Sequence, residues 1–337
     1  MRVGIIGCGC ISEVHAKSIM ALEDSELVSV ADCVPERARR LAARYGGSFH
    51  TDWMEMLEQE KLDVVHICTP HYLHAAMAVE CLDRGIHVFM EKPPVISWEQ
   101  FHMLKEAVNR QSGAGGIKTG VCFQNRRNPE VQFVRKLLRE NYFGSIVGVR
   151  GIVTWCRDKS YYAAGSWRGK KHLAGGGALI NQGIHTLDLI QYLVDEKPCG
   201  VEAMMDNFHL KEEIEVEDTL CAHIRYSQAA GCLYVTTGYA ADAAPVLELQ
   251  CERGRIRMEE GSVFLKENKG EEEIIEMPGE KGFGKDYWGA GHGQAIEQFY
   301  NSIQKGESDI LDFENVEETL RLFLRIYDSA YLRETVK

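Results

Sequence analysis

A lysine follows an apolar run of the kind that forms a buried parallel strand. Lys92 stands in Glu91-Lys92-Pro93, directly after the apolar run 86–90, and the chain itself begins with an apolar run, 2–6, that ends in a glycine turn. A glycine turn after a first strand is typical of dinucleotide binding, and lysine can transfer a proton or stabilise an alkoxide. The two features together predict proton transfer beside a hydride carrier.

The turn after the first run has the composition of a phosphate-binding loop. Gly7 permits a tight turn, and Gly9 lets the backbone approach a pyrophosphate closely. The N–H groups of Cys10 and Ile11 would then face the phosphates at the start of the following helix. Ser12 replaces the usual third glycine or alanine, which is a small change because serine is also small.

An acidic residue follows the second apolar run, 27–31. At this position the carboxylate of Asp32 would accept hydrogen bonds from the ribose hydroxyls and would repel a 2′-phosphate. We therefore expect NAD rather than NADP, unless Arg37 compensates for the repulsion. The alternative is that Asp32 only caps or begins the turn before Pro35.

Other cofactor contacts are expected in the loops after the later strands, because a doubly wound sheet binds its ligand at the carboxyl ends of its strands. The residues predicted to contact the cofactor in these loops are Thr69, Pro70, His71, His74, Glu91, Lys92 and Gln124. For His71 and His74 an equally good interpretation is that they only begin a helix.

A predicted helix over 178–194 carries a polar stripe in an otherwise apolar sequence. Asn181, His185 and Asp188 stand at i, i+4 and i+7 and would share one helical face. Because histidine titrates near neutral pH, His185 is the second candidate for proton transfer. Asp188 either orients the His185 ring or serves the structure, and the alternative for the whole stripe is a solvated face.

The segment before this helix is rich in cations. Residues 124–172 contain eleven Lys and Arg against three Asp and Glu. Arginine recognises carboxylate and phosphate groups through paired hydrogen bonds, so we expect an anionic substrate; the alternative is a set of solvated faces. The candidate substrate contacts are Arg126, Trp167, Arg168, Asn181, Asp188 and His292. Trp167 could equally be plain packing, and His292 could equally be a residue that only begins a helix.

The pattern of elements changes near residue 123. Residues 1–123 alternate apolar runs with helical patterns, which predicts a doubly wound parallel sheet covered by helices. Residues 124–337 contain a few helices and then strand after strand, which predicts an α+β domain with a large open, mostly antiparallel sheet. The predicted class is α/β, with the first domain binding the dinucleotide and the second binding the substrate.

Composition argues against several classes of protein. The net charge of −12 argues against a nucleic-acid partner. No apolar stretch approaches the roughly 20 residues of a membrane helix, and without an export signal pattern we expect a cytoplasmic protein. The eleven cysteines form neither an even set nor zinc-like pairs, so we expect no disulfide framework and no metal site.

These motifs resemble those of the Gfo/Idh/MocA oxidoreductase family over essentially the whole chain. The resemblance lies in Gly7-Cys8-Gly9, Cys68-Thr69-Pro70-His71, Glu91-Lys92-Pro93, Gly175-Gly176-Gly177 with His185 and Asp188, and Gly289-Ala290-Gly291-His292. It implies an N-terminal Rossmann domain and a C-terminal α/β domain whose sheet serves contacts in a homodimer or homotetramer. It also implies NAD(P)-dependent oxidation of a ring hydroxyl of a sugar or cyclitol, or reduction of the matching ketone.

One position departs from the inositol-dehydrogenase-like members, which have Asp where this chain has Asn181. Asparagine can hydrogen-bond a hydroxyl group but cannot accept its proton, so the departure argues against inositol. At this position the chain resembles relatives that act on sugar acids or nucleotide-linked sugars. Two other functions remain open. One is a non-catalytic sensor of NAD(P) or a metabolite, and the other is a glycosidase or epimerase that uses bound NAD in a transient oxidation.

Overall fold

The structure, a computed structural model, describes residues 1–114, 116–163, 167–277 and 291–334, with only the backbone at 112–114 and 333–334. These residues form two compact units, which comprise Met1–Gln124 with Lys281–Val316 and Asn125–Glu280 with Glu317–Lys337. Within the described ranges, every helix is too short or too polar to cross a membrane.

The first unit contains a six-stranded parallel sheet in the order β3-β2-β1-β4-β5-β6. Its strands are β1 (Arg2–Ile6), β2 (Glu26–Ala31), β3 (Ser48–His50), β4 (Val64–Ile67), β5 (His87–Met90) and β6 (Thr119–Val121). The central strands are almost wholly buried, as expected for a parallel sheet with helices on both faces. The order reverses beside β1, and this is where such sheets bind nucleotides.

Five helices connect these strands: α1 (Ser12–Met20), α2 (Pro35–Tyr45), α3 (Trp53–Gln59), α4 (His71–Asp83) and α5 (Trp98–Ala114). Their starts follow from the sequence. Pro35 occupies the first turn of α2, where its missing N–H costs nothing. The Asp52 carboxylate accepts the Met54 N–H at 2.8 Å and caps α3.

Residues 291–316 belong to the first unit, although the sequence analysis assigned everything after residue 123 to the second domain. Helix α10 (Gly291–Lys305) packs on the sheet through Phe299, whose ring centre lies 5.1 Å from that of Phe89 in β5. A Cβ on Gly120 of β6 would lie 2.8 Å from the Phe299 ring, so glycine permits the close approach. The chain thus returns to its first sheet after a long excursion, which local patterns cannot reveal.

The second unit contains an eight-stranded sheet in the order β14-β13-β12-β11-β7-β10-β9-β8, in which only the β7–β10 pair is parallel. Its strands are β7 (Ile146–Thr154), β8 (Gly200–Asp206), β9 (Thr219–Arg225), β10 (Ala230–Thr236), β11 (Val246–Cys251), β12 (Gly254–Glu259), β13 (Ser262–Glu267) and β14 (Glu272–Glu276). Its helices are α6 (Pro129–Arg139), α7 (Lys159–Ala163), α8 (Lys171–Ala174), α9 (Ile184–Val194) and most of α11 (Phe313–Glu334).

Helix α9 covers one face of this sheet. A Cβ on Gly151 of β7 would lie 2.6 Å from Thr186, and a Cβ on Gly183 would lie 2.5 Å from Val235 of β10. Both glycines therefore bring the helix close to the strands. The predicted α/β class, with a parallel sheet and a large, mostly antiparallel sheet, is confirmed.

Candidate active site

The glycine turn after β1 combines a strained position with an open one. Gly7 has φ +93°, and a Cβ there would lie 2.7 Å from the Cys68 backbone. A Cβ on Gly9 would meet no atom within 4 Å, and φ of Gly9 is not positive. Neither packing nor conformation therefore requires glycine at residue 9, whereas close approach of a pyrophosphate to the backbone does. The turn fits a dinucleotide.

Helix α1 begins directly after this turn without a side-chain cap. Its N-cap is Ile11, whose side chain cannot accept a hydrogen bond from the first N–H groups. Ser12 turns away from that role, because its hydroxyl donates to the Gly9 carbonyl at 2.6 Å and is buried. Cys10, between Gly9 and Ile11, is exposed. An uncapped helix start of this kind is suited to phosphate.

Asp32 ties the ends of β1 and β2 together. Its Oδ2 accepts the Cys8 N–H at 2.8 Å, and its Oδ1 accepts the Val34 N–H at 2.8 Å. The turn role that the sequence left open is therefore present, and each oxygen keeps a lone pair for a ribose hydroxyl. Burial, and secondly the charge of Asp32, raise the pKa of the Cys8 thiol to about 12, which keeps this thiol neutral. Arg37 is exposed on α2.

His74 links the loop after β4 to the loop after β5. Its Nδ1 lies 2.7 Å from the Pro93 carbonyl oxygen, and its Nε2 lies 2.7 Å from the Thr69 carbonyl oxygen. Burial lowers the pKa of His74 despite these two acceptors. His74 thus fixes the segment that contains Thr69 and Pro70 against the segment that contains Lys92. His71 begins α4 and is also buried.

Lys92 follows a buried carboxylate at the end of β5. Glu91 Oε1 lies 3.0 Å from His15 Nε2 and 4.0 Å from His292 Nε2. The Lys92–Pro93 peptide bond is cis, and Lys92 is half-buried. Glu91 and His292 both belong to the first unit, which brings the two side chains close together.

His292 is held neutral by its surroundings. Burial lowers the pKa of His292 to about 4, against the opposing charge of Glu91. Its motif partners Gly289 and Ala290 lie outside the described residues. Gln124 is buried, with Oε1 3.8 Å from Cys122 Sγ, which places it at the end of β6 in the first unit.

The helix that carries the polar stripe starts with a π-helical turn, Leu179–Gly183, before α9. The predicted single α-helix over 178–194 is therefore wrong in its first turn. A π turn changes the angular spacing between Asn181 and the two later residues of the stripe, His185 and Asp188, which both lie in α9. Asn181 and His185 are half-buried, whereas Asp188 is 1% exposed. Asn181 Nδ2 donates to the Gly177 carbonyl at 2.9 Å.

The glycine run before this helix leaves space for one side chain and one backbone carbonyl group. A Cβ on Gly176 would lie 1.9 Å from the Tyr327 hydroxyl, and a Cβ on Gly177 would lie 1.9 Å from the Glu217 carbonyl oxygen. The Glu217 carboxylate accepts the N–H groups of Gly177 (2.8 Å) and Leu179 (3.1 Å) and the Tyr327 O–H (2.8 Å). Burial raises the pKa of Glu217 despite these donors. Glu217 thus holds the start of the helix.

Arg126 and Asp188 form a buried ion pair, and this corrects their predicted roles. Arg126 Nε and Nη2 donate to Asp188 Oδ2 and Oδ1 at 2.9 Å and 2.6 Å, and Thr319 donates to Oδ1 at 2.8 Å. Arg126 is 2% exposed. A buried bidentate pair neutralises both charges. Arg126 is therefore not an exposed receptor for an anion. Asp188 serves the structure, which was the predicted alternative to orienting the His185 ring, and its pairing with Arg126 argues against its predicted contact with substrate.

A cation–aromatic ladder precedes α8 in the second unit. Arg157 lies 4.8 Å from the Trp155 ring centre and 5.5 Å from that of Tyr161, and Arg168 lies 5.2 Å from Tyr161 and 4.9 Å from Trp167. The five residues alternate ring and guanidinium, an arrangement that is attractive at each step. Trp167 thus packs on a cation rather than in an apolar core.

The two guanidinium groups of this ladder differ in their charge balance. Arg157 Nη1 lies 2.9 Å from Asp242 Oδ1. Arg168 has no ion pair with a carboxylate among the described residues and is half-buried between rings. Tyr161 connects the ladder to the π turn, because Gln182 Nε2 donates to the Tyr161 hydroxyl at 3.1 Å. Arg168 is therefore the predicted cation best suited to bind an anion.

Sequence reasoning missed the residues that hold others in place. Glu217 was hidden in an acidic segment, and Tyr327 lies far along the chain. A third such residue, His66, contacts His15 and Tyr300. The sequence could have indicated it, because a histidine interrupts the otherwise apolar β4.

Comparison with known proteins places this chain in one family. A family model described as "Oxidoreductase family, NAD-binding Rossmann fold" matches residues 1–116. A second model, the GFO/IDH/MocA C-terminal domain, matches residues 131–257. The first unit therefore contains an NAD-binding Rossmann fold. The chain belongs to the Gfo/Idh/MocA oxidoreductase family.

Two curated relatives are dehydrogenases. D-glucoside 3-dehydrogenase of Escherichia coli is 31% identical over 264 residues, which are 71% of this chain and 70% of the relative. Levoglucosan dehydrogenase of Pseudarthrobacter phenanthrenivorans is 31% identical over 207 residues, which are 58% of this chain. That match spans only about half, 52%, of the relative's own length.

A solved structure is similar over almost the whole chain. The WlbA dehydrogenase from Bordetella pertussis, in complex with NADH and UDP-GlcNAcA, is 30% identical with a TM-score of 0.84. The similarity covers 98% of this chain and 96% of that one.

The glycine turn yields a matched pair of variants. Gly9→Ala should leave the melting temperature within about 2 °C of wild type and weaken NADH binding at least about tenfold, because only the cofactor needs the space. Gly7→Ala should lower the melting temperature, because alanine is strained at φ +93°. Thermal melts and fluorescence titration with NADH measure both effects. Wild-type NADH affinity in Gly9→Ala would contradict the assignment.

Loss of the Glu217 carboxylate should destabilise the second unit. Glu217→Ala leaves two buried N–H groups without their acceptor, which should lower the free energy of unfolding by about 1–3 kcal/mol. The exposed Glu215, two residues earlier, gives the control variant Glu215→Ala, which should change it by less than about 0.5 kcal/mol. Denaturant unfolding compares the two, and equal effects would contradict the role of Glu217.

Proposed function

We propose that this protein is an NAD-dependent dehydrogenase that oxidises a ring CH–OH group of a carbohydrate, or reduces the matching ketone. The observation that carries this proposal is the position of Lys92. It stands two residues beyond β5, at the same carboxyl-terminal edge of the parallel sheet as the glycine turn after β1. Substrate groups that react with a bound dinucleotide meet it at this edge.

The chain's own residues can hold the dinucleotide. The backbone at Gly9, Cys10 and Ile11 is suited to the pyrophosphate, and Asp32 is suited to the ribose hydroxyls of NAD. When bound, NAD accepts a hydride from the substrate carbon. Thr69, Pro70, His71, His74, Glu91 and Gln124 remain proposed contacts of the same cofactor, with His74 and Glu91 acting through the position of their loops.

The proton of the substrate hydroxyl needs an acceptor as the hydride leaves. We assign it to Lys92 Nζ or the His185 imidazole, both of which are half-buried. Whichever residue takes the proton, the other can donate a hydrogen bond to the oxygen and stabilise its developing negative charge.

The proposed substrate is an anionic carbohydrate. Arg168 supports this class, because it is a half-buried guanidinium without a carboxylate partner among the described residues. Asn181 could orient a substrate hydroxyl but cannot serve as the base. A relative's complex with UDP-GlcNAcA points in the same direction, whereas levoglucosan and glucosides carry no acid group.

We also propose that the protein works as a homo-oligomer in the cytoplasm. One face of the large sheet presents a solvent-accessible row across its strands that runs from Glu202 through Arg150 to Ile274, which is 59% exposed. A second copy of the chain would cover this row. The cysteines in the described residues are free thiols, which suits a reducing compartment.

Removal of either proton-transfer residue should slow turnover. Lys92→Ala and His185→Ala should each lower kcat about 10²–10⁴-fold. His185→Ala should leave the NADH dissociation constant within about threefold, whereas Lys92, also a predicted cofactor contact, can weaken NADH binding when it is removed. Lys136→Ala, an exposed lysine on α6, is the control. The assay follows NADH formation with NAD and NADP on sugar acids, cyclitols and nucleotide sugars.

The same assay separates the alternatives. Wild-type turnover in both variants would overturn the assignment of Lys92 and His185. Nucleotide binding with no reduction of NAD by any substrate would support a sensor, and product without net NADH would support a transient oxidation.

Arg168 should discriminate between acidic and neutral substrates. Arg168→Gln should lower kcat/KM for a sugar acid about 10–100-fold, the value of one charge-assisted hydrogen bond, and change it less than about threefold for the neutral sugar. The exposed Arg139 provides the control variant Arg139→Gln. Equal losses on both substrates would contradict an anion site while leaving the dehydrogenase proposal intact.

A further inference from the structure

Four side chains form a continuous hydrogen-bonded chain inside the first unit. Glu91 Oε1 lies 3.0 Å from His15 Nε2, His15 Nδ1 lies 2.7 Å from His66 Nδ1, and His66 Nε2 lies 2.8 Å from the Tyr300 hydroxyl. They come from the end of β5, from α1, from β4 and from α10. The first unit therefore assembles this chain, the Tyr300 chain, from four separate elements.

The Tyr300 chain is buried throughout. Relative exposures are 8% for Glu91, 0% for His15 and His66 and 3% for Tyr300. Polar groups this deep must satisfy one another, because no apolar neighbour can replace water. Since β4 is otherwise apolar, burying the His66 ring costs free energy, and its hydrogen bonds to His15 and Tyr300 offset that cost.

The direction of the protons follows from the carboxylate at one end. Ionised Glu91 can only accept, so His15 must donate from Nε2. The two Nδ1 atoms, 2.7 Å apart, need one donor and one acceptor; with His15 accepting, His66 donates from Nδ1 and accepts at Nε2 from the Tyr300 O–H. Burial, and secondly the charge of His15, lower the pKa of His66, which agrees with a neutral ring.

Glu91 stays ionised in spite of its burial. Burial alone would raise the pKa of Glu91, but the hydrogen bond from His15 and the charge of Lys92 hold it well below its ordinary value. The same charge reaches Lys92, the next residue. A fixed carboxylate favours the ammonium form of a neighbouring amine.

Other titratable groups face this carboxylate. His74 of α4, His292 of α10, Cys68 after β4 and Cys122 after β6 all lie within its electrostatic reach. Burial lowers the pKa of both histidines and raises the pKa of both thiols, so all four are neutral near pH 7. Glu91 is therefore the one negative charge of this group that Lys92 meets.

We propose that the Tyr300 chain fixes an ionised Glu91 beside Lys92 and thereby sets the pH range in which Lys92 exchanges its proton with the substrate. His15, His66 and Tyr300 are positioning residues, since they act through Glu91 and do not touch the reacting atoms. This inference rests on the proposed function of Lys92.

Breaking the chain should reduce the negative charge that Lys92 meets. In His66→Phe, His15 Nδ1 loses the partner that fixes the ring with its Nε2–H directed at Glu91, so the hydrogen bond to Glu91 weakens. Burial, which raises the pKa of Glu91, is then less strongly opposed. The ionised share of Glu91 beside Lys92 then falls. The ammonium form of Lys92 is less favoured, so the Lys92-dependent limb of the pH–rate profile moves to lower pH.

The experiment is the pH dependence of kcat/KM for substrate oxidation in the full chain. His66→Phe should move the rising limb to lower pH by at least about 0.5 pH unit, and Tyr300→Phe should move it in the same direction by less. Both should keep the KM for NAD within about threefold. Tyr226→Phe, which removes a buried tyrosine hydroxyl in the second unit, should leave the limb in place.

A second measurement reports directly on the hydrogen bonds of the Tyr300 chain. The ¹⁵N-histidine-labelled protein should show far-downfield ring N–H resonances for His15 and His66 that disappear in His66→Phe. The conservative Tyr300→Phe should fold even if His66→Phe does not, which keeps the pH test available.

Three outcomes overturn the inference. The first is an unshifted limb in both chain variants with a fall in melting temperature alone, which would make the chain merely structural. The second is a shift to higher pH. The third is stoichiometric zinc in the purified protein, since His15, Glu91 and Cys122 place ligand atoms within 4.8 Å of one another. If Lys92→Ala retains wild-type turnover, the proposed function fails instead.

Discussion

The hydrogen bond from the Cys8 N–H to the Asp32 carboxylate is the interaction on which the nucleotide site depends. It joins the turn after β1 to the end of β2, and the second Asp32 oxygen holds the Val34 N–H at the start of α2. With both oxygens anchored, the carboxylate stands at a fixed place beside the open backbone at Gly9. One side chain therefore shapes the phosphate turn and can also read the ribose, which explains why its structural and cofactor roles need not exclude each other.

Buried acids elsewhere in the molecule hold other residues in place. Asp188 neutralises Arg126, Glu217 holds the start of the helix that carries His185, and Glu91 is held beside Lys92. Each of these carboxylates accepts two or more hydrogen bonds or lies beside a cation, as buried charges require. Reactive groups then need not be the most buried ones, and both proton-transfer candidates are half-buried. The residues proposed for proton transfer are accessible to a substrate, and the buried carboxylates fix the positions of the segments around them.

The sequence was sufficient for the fold class because each element has a local cause. Apolar runs separated by helical patterns predicted the parallel sheet, and the family resemblance is confirmed. Contacts between distant segments could not be predicted from the sequence. The return of 291–316 to the first unit, the Arg126–Asp188 pair and the Tyr327 contact with Glu217 all join residues far apart in the chain. The π turn at Leu179–Gly183 was missed because periodicity assumes one helical spacing.

The central claim is that the chain moves a hydride from a carbohydrate carbon to the nicotinamide. The most direct measurement uses a panel of sugar acids and nucleotide sugars deuterated on their ring carbons, with mass spectrometry of the NADH formed. Hydride transfer predicts one deuterium in each NADH molecule, bound at C4 of the nicotinamide, and a slower rate with the deuterated sugar. NADH without deuterium, or bound NAD that no substrate on the panel reduces, would contradict the account.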